Sequence, residues 1–228
     1  MRLPSVATAT GAWGVAVVIG VLVAGQQHAG ALDRALIRQV YAIVGDQGVL
    51  AELLLAPTDT GMIVTAASVL VVIALLRRRW DVAVVAAAAP AIAVGVTELV
   101  LKPAFGRRLY GLLSYPSGHA VAAMTVYTVA ALALATDATR LWRRIIAVGW
   151  VLLTIAIMLG LVAMNCHYPT DTVGGVCVAI GVVLPCTLAS DIVPRGQRAK
   201  VRIPLPRQIG EPYIPRMTSV SPSRTPRG

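Results

Sequence analysis

Two histidines stand where proton transfer and nucleophilic attack are easily arranged: His119, directly after Pro116, Ser117 and Gly118, and His167, four residues before Asp171. A neutral imidazole can attack phosphorus, and a protonated one can deliver a proton to a leaving oxygen. A carboxylate about one helical turn beyond a histidine can fix its tautomer and stabilise the imidazolium. Ser117 and Gly118 precede an apolar run, so their N–H groups and the positive end of the helix they open would face one space, an arrangement suited to phosphate. Pro169 falls at the first turn of the next run, a position proline favours. Lys102, Arg107 and Arg108 add cations that can neutralise phosphate oxygens.

Each of these residues also has an ordinary explanation on its own. A lysine at a helix C-terminus and an aspartate in a first turn are favoured by the dipole without any chemistry. Pro-Ser-Gly is a common turn into a helix. What distinguishes them is their joint placement, which depends on the elements that carry them.

Those elements are membrane spans. An apolar share of 57%, a mean hydropathy of +0.76 and only 13% charged residues are far from the balance of a water-soluble domain. Crossing roughly 30 Å of hydrocarbon takes about 20 residues. Six runs qualify, near 6–25, 61–76, 82–101, 118–135, 145–164 and 172–193, the second being short. Unpaired backbone groups are too costly in lipid, and the alternating short strands of a membrane barrel are absent, so the fold expected is all-α, a polytopic bundle of about six helices. Pro90 and Pro185 fall inside spans and are expected to kink them without ending them.

A net charge of +10 could suit nucleic acid, but the basic residues are not gathered on a soluble domain, so no nucleic-acid partner is expected. Arg2, the run Arg77 to Arg79, Arg140, Arg143, Arg144 and the segment from Arg195 onward occupy alternate connections, which the positive-inside rule assigns to the cytoplasm. Both termini are then cytoplasmic. The three segments that hold Lys102 to Arg108, Pro116 to His119 and His167 to Asp171 all fall on the outer face.

Residues 26–58 place Leu32, Leu36, Ile37, Val40 and Val44 at helical spacing opposite Asp33, Arg34, Arg38 and Gln39, which predicts an interfacial helix. One membrane domain is expected over 1–193. Residues 194–228, rich in Pro, Arg and Ser, predict a disordered basic tail on the cytoplasmic side. The first apolar run has the length of a retained span; a leader cleaved near Ala29-Gly30-Ala31 is the alternative. Cys166, Cys177 and Cys186 make no disulfide framework and are read as structural. No carboxylates and histidines cluster at metal-ligand spacing, so neither a metal nor another cofactor is expected.

Lys102 with its following arginines, Pro116-Ser117-Gly118-His119, and His167-Tyr168-Pro169-Thr170-Asp171 resemble the three signature segments of the type-2 phosphatidic acid phosphatase superfamily, in its six-helix membrane branch. The resemblance covers residues 60–193. It implies a double displacement in which His167 attacks phosphorus to form a phosphohistidine, Asp171 orients His167, and His119 protonates the leaving group. Lys102, Ser117 and the Gly118 N–H would hold the phosphoryl oxygens, without metal. The substrate implied is a lipid phosphate or diphosphate, such as phosphatidate, phosphatidylglycerol phosphate or a polyprenyl diphosphate, met among the lipids of the plasma membrane on its extracytoplasmic face.

Two positions depart from the family pattern. Leu109 and Tyr110 stand where the family has an Arg-Pro pair, and Gly160 and Leu161 where it has Ser-Arg. Arg107 or Arg108 is expected to replace the first lost phosphate-binding arginine; nothing nearby replaces the second. A charge-assisted hydrogen bond is worth about 1.5–3 kcal/mol, so the loss slows turnover by roughly one to two orders of magnitude. Two other readings follow: transfer of the phosphoryl group to an alcohol, and a lipid-phosphate-binding membrane protein that has lost turnover. The sequence selects neither the lipid nor an oligomeric state.

Overall fold

An apolar run in hydrocarbon is least costly as a helix, where every backbone group finds its partner within the run. The computed structural model shows such helices and describes residues 2–45 and 47–192. The tail expected at 194–228 lies outside the described residues. Along the chain come α1 (Arg2–Val23), α2 (Ala31–Val44), α3 (Val49–Leu55) with a short 3-10 turn, α4 (Thr60–Leu76) and α5 (Trp80–Val96). A π turn, Thr97–Leu101, carries α5 into α6 (Lys102–Phe105). After a small antiparallel ribbon of β1 (Arg108–Leu109) and β2 (Leu112–Leu113) come α7 (Gly118–Ala135), α8 (Arg140–Ala163) and α9 (Pro169–Ile192). Among the described residues the fold is all-α apart from that ribbon.

Among the described residues, five helical stretches are long and apolar enough to cross a bilayer: Ser5–Val23, Trp80–Phe105, Gly118–Ala135, Arg140–Ala163 and Pro169–Ser190. The second expected span, α4, has 17 residues and rises only about 26 Å at 1.5 Å per residue, against roughly 30 Å of hydrocarbon. Pro90 and Pro185 lie inside α5 and α9, which run on past them as helices. Large apolar side chains such as Val18, Leu22, Val84, Leu141 and Leu152 stand exposed along the helices, the surface a multi-pass membrane protein presents to lipid.

The bundle is built around α9, which packs against α1, α7 and α5. Ala16, Val85, Ala89, Val121, Val178 and Val183 form one core among these four helices. A second core joins α7, α8 and α9 through Met124, Ile157, Leu161 and Ala179. Without a strong hydrophobic effect between helices in lipid, small residues that let backbones approach matter more. Gly174 and Gly175 are such residues. A Cβ on Gly174 would lie 2.6 Å from the Tyr115 ring, and one on Gly175 would lie 2.8 Å from the Ser117 carbonyl oxygen. The turn before α7 is thereby seated directly on α9. Gly175→Val is accordingly expected to destabilise the protein by about 1–3 kcal/mol through overpacking, measured as a lower unfolding temperature in detergent. An unchanged temperature would show that this turn is not held by α9.

The segment expected to form one interfacial helix forms two. In α2 the buried residues are Asp33, Val40 and Val44, with Ile37 packed beside them, while Leu32 and Leu36 are exposed. The face turned to the protein is Asp33-Ile37-Val40-Val44, so the helix buries an acid that the sequence pattern places on its polar side. Val40 and Val44 meet Ala51 of α3 and Val162 and Ala163 of α8 in a third core.

Candidate active site

Every expected site residue sits near a helix end at one level of the bundle. The π turn hands α5 to α6 so that Lys102 closes one turn after Glu98, its Nζ 2.7 and 2.9 Å from the two carboxylate oxygens. Gly106, at φ 61°, ends α6 in the left-handed conformation that glycine adopts without steric cost. The ribbon then turns at Tyr110 and Gly111 and returns to Ser114. Ser117 caps α7 by accepting from the Ala120 N–H at 3.3 Å, which places Gly118 and His119 in the first turn. On the other side α8 ends, Asn165 takes φ 57°, and Cys166 and His167 lead into Pro169 at the start of α9.

Tyr115 anchors the turn from beneath. It is fully buried, its ring lies edge-on to Phe105 at 5.3 Å, and its hydroxyl donates to the Ala16 carbonyl. Burial, the largest influence, raises the phenol well above its ordinary value, so it remains a donor. The Ser117 N–H donates to the Asp171 carbonyl at 3.0 Å, tying the start of α7 to the start of α9.

These turns bring the two histidines together. The His119 and His167 rings meet edge to face with centroids 5.7 Å apart. Both line a cavity of about 720 Å³, together with Lys102, Glu98, Gly118 and Ser114. Its wall continues along Ile63 and Val64 of α4 and Pro90, Ala91 and Val94 of α5, so the polar end of the cavity runs on into an apolar one. The His167 Nδ1 lies 3.8 Å from the Asp171 Oδ2 and has no hydrogen-bond partner. That distance is too long for a hydrogen bond, although catalytic contacts commonly tighten only when substrate is present.

Asp171 is itself held. It is fully buried; its Oδ1 accepts from Arg107 at 2.6 Å and its Oδ2 from the Tyr168 N–H at 3.3 Å. Arg107, also fully buried, gives its other terminal nitrogen to Asp33 of α2. Thr170 completes the group: its hydroxyl donates to Asp33 at 2.9 Å and accepts from Arg107, and its N–H donates to Asp33 at 3.0 Å. The Arg107 guanidinium also lies 4.4 Å from the centre of the Tyr168 ring. A guanidinium shared by two carboxylates compensates most of their desolvation, which a lone buried charge could not do.

Of the residues expected to touch phosphate, Lys102 and Gly118 line the cavity with His119 and His167. Asp171 lies behind His167, and Ser117 is buried under the turn. Arg107 and Arg108 do not line the cavity. Arg107 is engaged by Asp33 and Asp171, and Arg108 is exposed and donates to the Gly111 carbonyl at 2.6 Å. The expectation that one of them stands in for the lost family arginine is thus met by neither. Leu161, at the place of the other, is fully buried in the α7–α8–α9 core. Beside it, a Cβ on Gly160 would lie 2.6 Å from the Leu55 N, because the α3 backbone rests on α8 there. Asp33, Ser114 and Thr170 are site neighbours to which the sequence reading gave no role at the site.

Several helices of membrane-spanning length mark a multi-pass membrane protein, and its two histidines stand together at the polar end of a cavity between helices. Residues 103–192, from α6 to α9, match the family model of the PAP2 superfamily, consistent with a member of the type-2 phosphatidic acid phosphatase superfamily. The superfamily's members are generally phosphatases acting on phosphate esters. No curated protein and no solved structure matches the chain.

Proposed function

We propose that the protein is an extracytoplasmic lipid phosphate phosphatase working through a phosphohistidine. The observation that carries this reading is the pair of imidazoles opening onto a cavity that is polar at the histidines and apolar along α4 and α5. Such a cavity suits a phosphate head joined to an acyl or prenyl tail, and two imidazoles meeting edge to face with centroids 5.7 Å apart are near enough for both to reach one phosphoryl group. Asp171 lies on the Nδ1 side of His167, which leaves Nε2 as the nucleophile. As Nε2 bonds to phosphorus, the ester P–O bond breaks and protonated His119 gives its proton to the leaving oxygen. His119 then takes a proton from water, whose oxygen displaces His167 and releases phosphate. Lys102 and the first turn of α7 hold the phosphoryl oxygens.

The orientation follows from the arginines. The run Arg77 to Arg79, and Arg140, Arg143 and Arg144, lie at the helix ends opposite the site. Arg79 fastens that end by donating to the Ala133 carbonyl of α7 and to the hydroxyl of Thr136, the residue just after it. The positive-inside rule puts this end in the cytoplasm and the histidines outside the plasma membrane, with both termini inside. The test is release of phosphate by the purified protein in detergent with a chelator present, from phosphatidate, phosphatidylglycerol phosphate and a polyprenyl diphosphate, against glycerol phosphate as the tail-less control. At least one lipid phosphate is expected to be hydrolysed well above the control. No release from any of them would refute the assignment.

A further inference from the structure

Ser114 lies between β2 and Tyr115 and is 3% exposed. Its N–H donates to the Arg107 carbonyl at 2.9 Å, but its Oγ has no hydrogen-bond partner. It belongs to the wall of the cavity that holds Lys102, Gly118, His119 and His167. A buried hydroxyl without a partner is destabilising, and native proteins keep such groups mostly where a ligand, ion or water meets them. Alanine would fill the same space without that cost, so packing does not explain the serine.

We propose that the Ser114 hydroxyl is a further phosphate-binding group, donating to a non-bridging oxygen of the phosphoryl group held between the two histidines; this rests on the phosphatase reading above. The shortage of cations gives the hydroxyl its importance. Among the described residues lining the cavity, Lys102 is the one lysine or arginine, and Glu98 pairs with it. Arg107 is bound to two carboxylates, Arg108 turns to Gly111, and Leu161 is apolar. The Ser117 N–H is taken by the Asp171 carbonyl. Ser114 therefore supplies a neutral donor where two guanidinium groups of the family pattern are missing. A hydroxyl rotates freely and can donate to an anion when one arrives.

The experiment compares the full-length protein and Ser114→Ala in detergent, measuring the unfolding temperature without ligand, the affinity for inorganic phosphate, and kcat/KM on the best lipid phosphate. The alanine variant is expected to unfold at the same or a higher temperature, because it removes an unsatisfied buried hydroxyl. Its phosphate affinity and its kcat/KM are expected to fall roughly 10- to 100-fold, as loss of a hydrogen bond to a charged group predicts. A purely structural serine would give the reverse pattern. Unchanged phosphate affinity and kcat/KM in the variant, at whatever unfolding temperature, overturn the assignment of Ser114 and leave the phosphatase reading standing. A wild-type protein that neither binds phosphate nor hydrolyses any lipid phosphate overturns both.

Discussion

His167→Ala is expected to reduce phosphate release by about three orders of magnitude or more, since removing a nucleophile leaves only binding and electrostatic contributions. The unfolding temperature should move little, because His167 sits in the turn before α9 outside the three apolar cores. His119→Ala should show a different signature. Loss of a general acid costs about 10²–10⁴-fold on an alkyl phosphate and much less on an ester with an acidic leaving group, which departs unaided. Rapid quenching should trap an acid-labile phosphoenzyme in wild type and none in His167→Ala. Turnover undiminished in that variant would mean that the paired imidazoles do not perform the chemistry.

Arg107→Leu is expected to produce the largest loss of stability of any single substitution around the site. It strands Asp33 and Asp171, both buried, without their shared cation, and breaking a buried pair by removing one partner costs about 3–5 kcal/mol. Asp33→Asn should be milder. It keeps the shape of the side chain and leaves Arg107 neutralised by Asp171, removing one of two negative charges from the group. Thermal unfolding in detergent should therefore rank wild type, then Asp33→Asn, then Arg107→Leu. The opposite order, or an Arg107→Leu protein as stable as wild type, would show that water or lipid headgroups, rather than the guanidinium, compensate the two acids.

The spans were legible because their signal is crude: long apolar runs, bounded by arginines or turn residues, have one low-cost conformation in hydrocarbon. The turn before α7 was legible too, since Ser117 is a standard helix cap followed by an apolar helix. The reading failed where a polar residue faces inward. Asp33, Ile37, Val40 and Val44 follow one another at intervals of four, three and four, the spacing of a buried helical stripe, with an acid as the first member. Assigning the acid to the polar face hid the stripe, because its partner Arg107 is 74 residues away and no local pattern announces that pairing. The same non-local contact took Arg107 from the phosphate role expected of it. Gly160 and Leu161 read as lost functional groups, whereas in the fold they are the surface on which α3 and α7 rest.

The clasp formed by Asp33, Arg107 and Asp171 is completed late in the chain: Arg107 lies 74 residues after Asp33, and Asp171 a further 64 residues on. Until then a half-made protein carries His119 without His167 or the carboxylate behind it. On the phosphatase reading, the chain gains hydrolytic competence only when its last helix arrives, and a product cut short before α9 is inert toward the lipids around it.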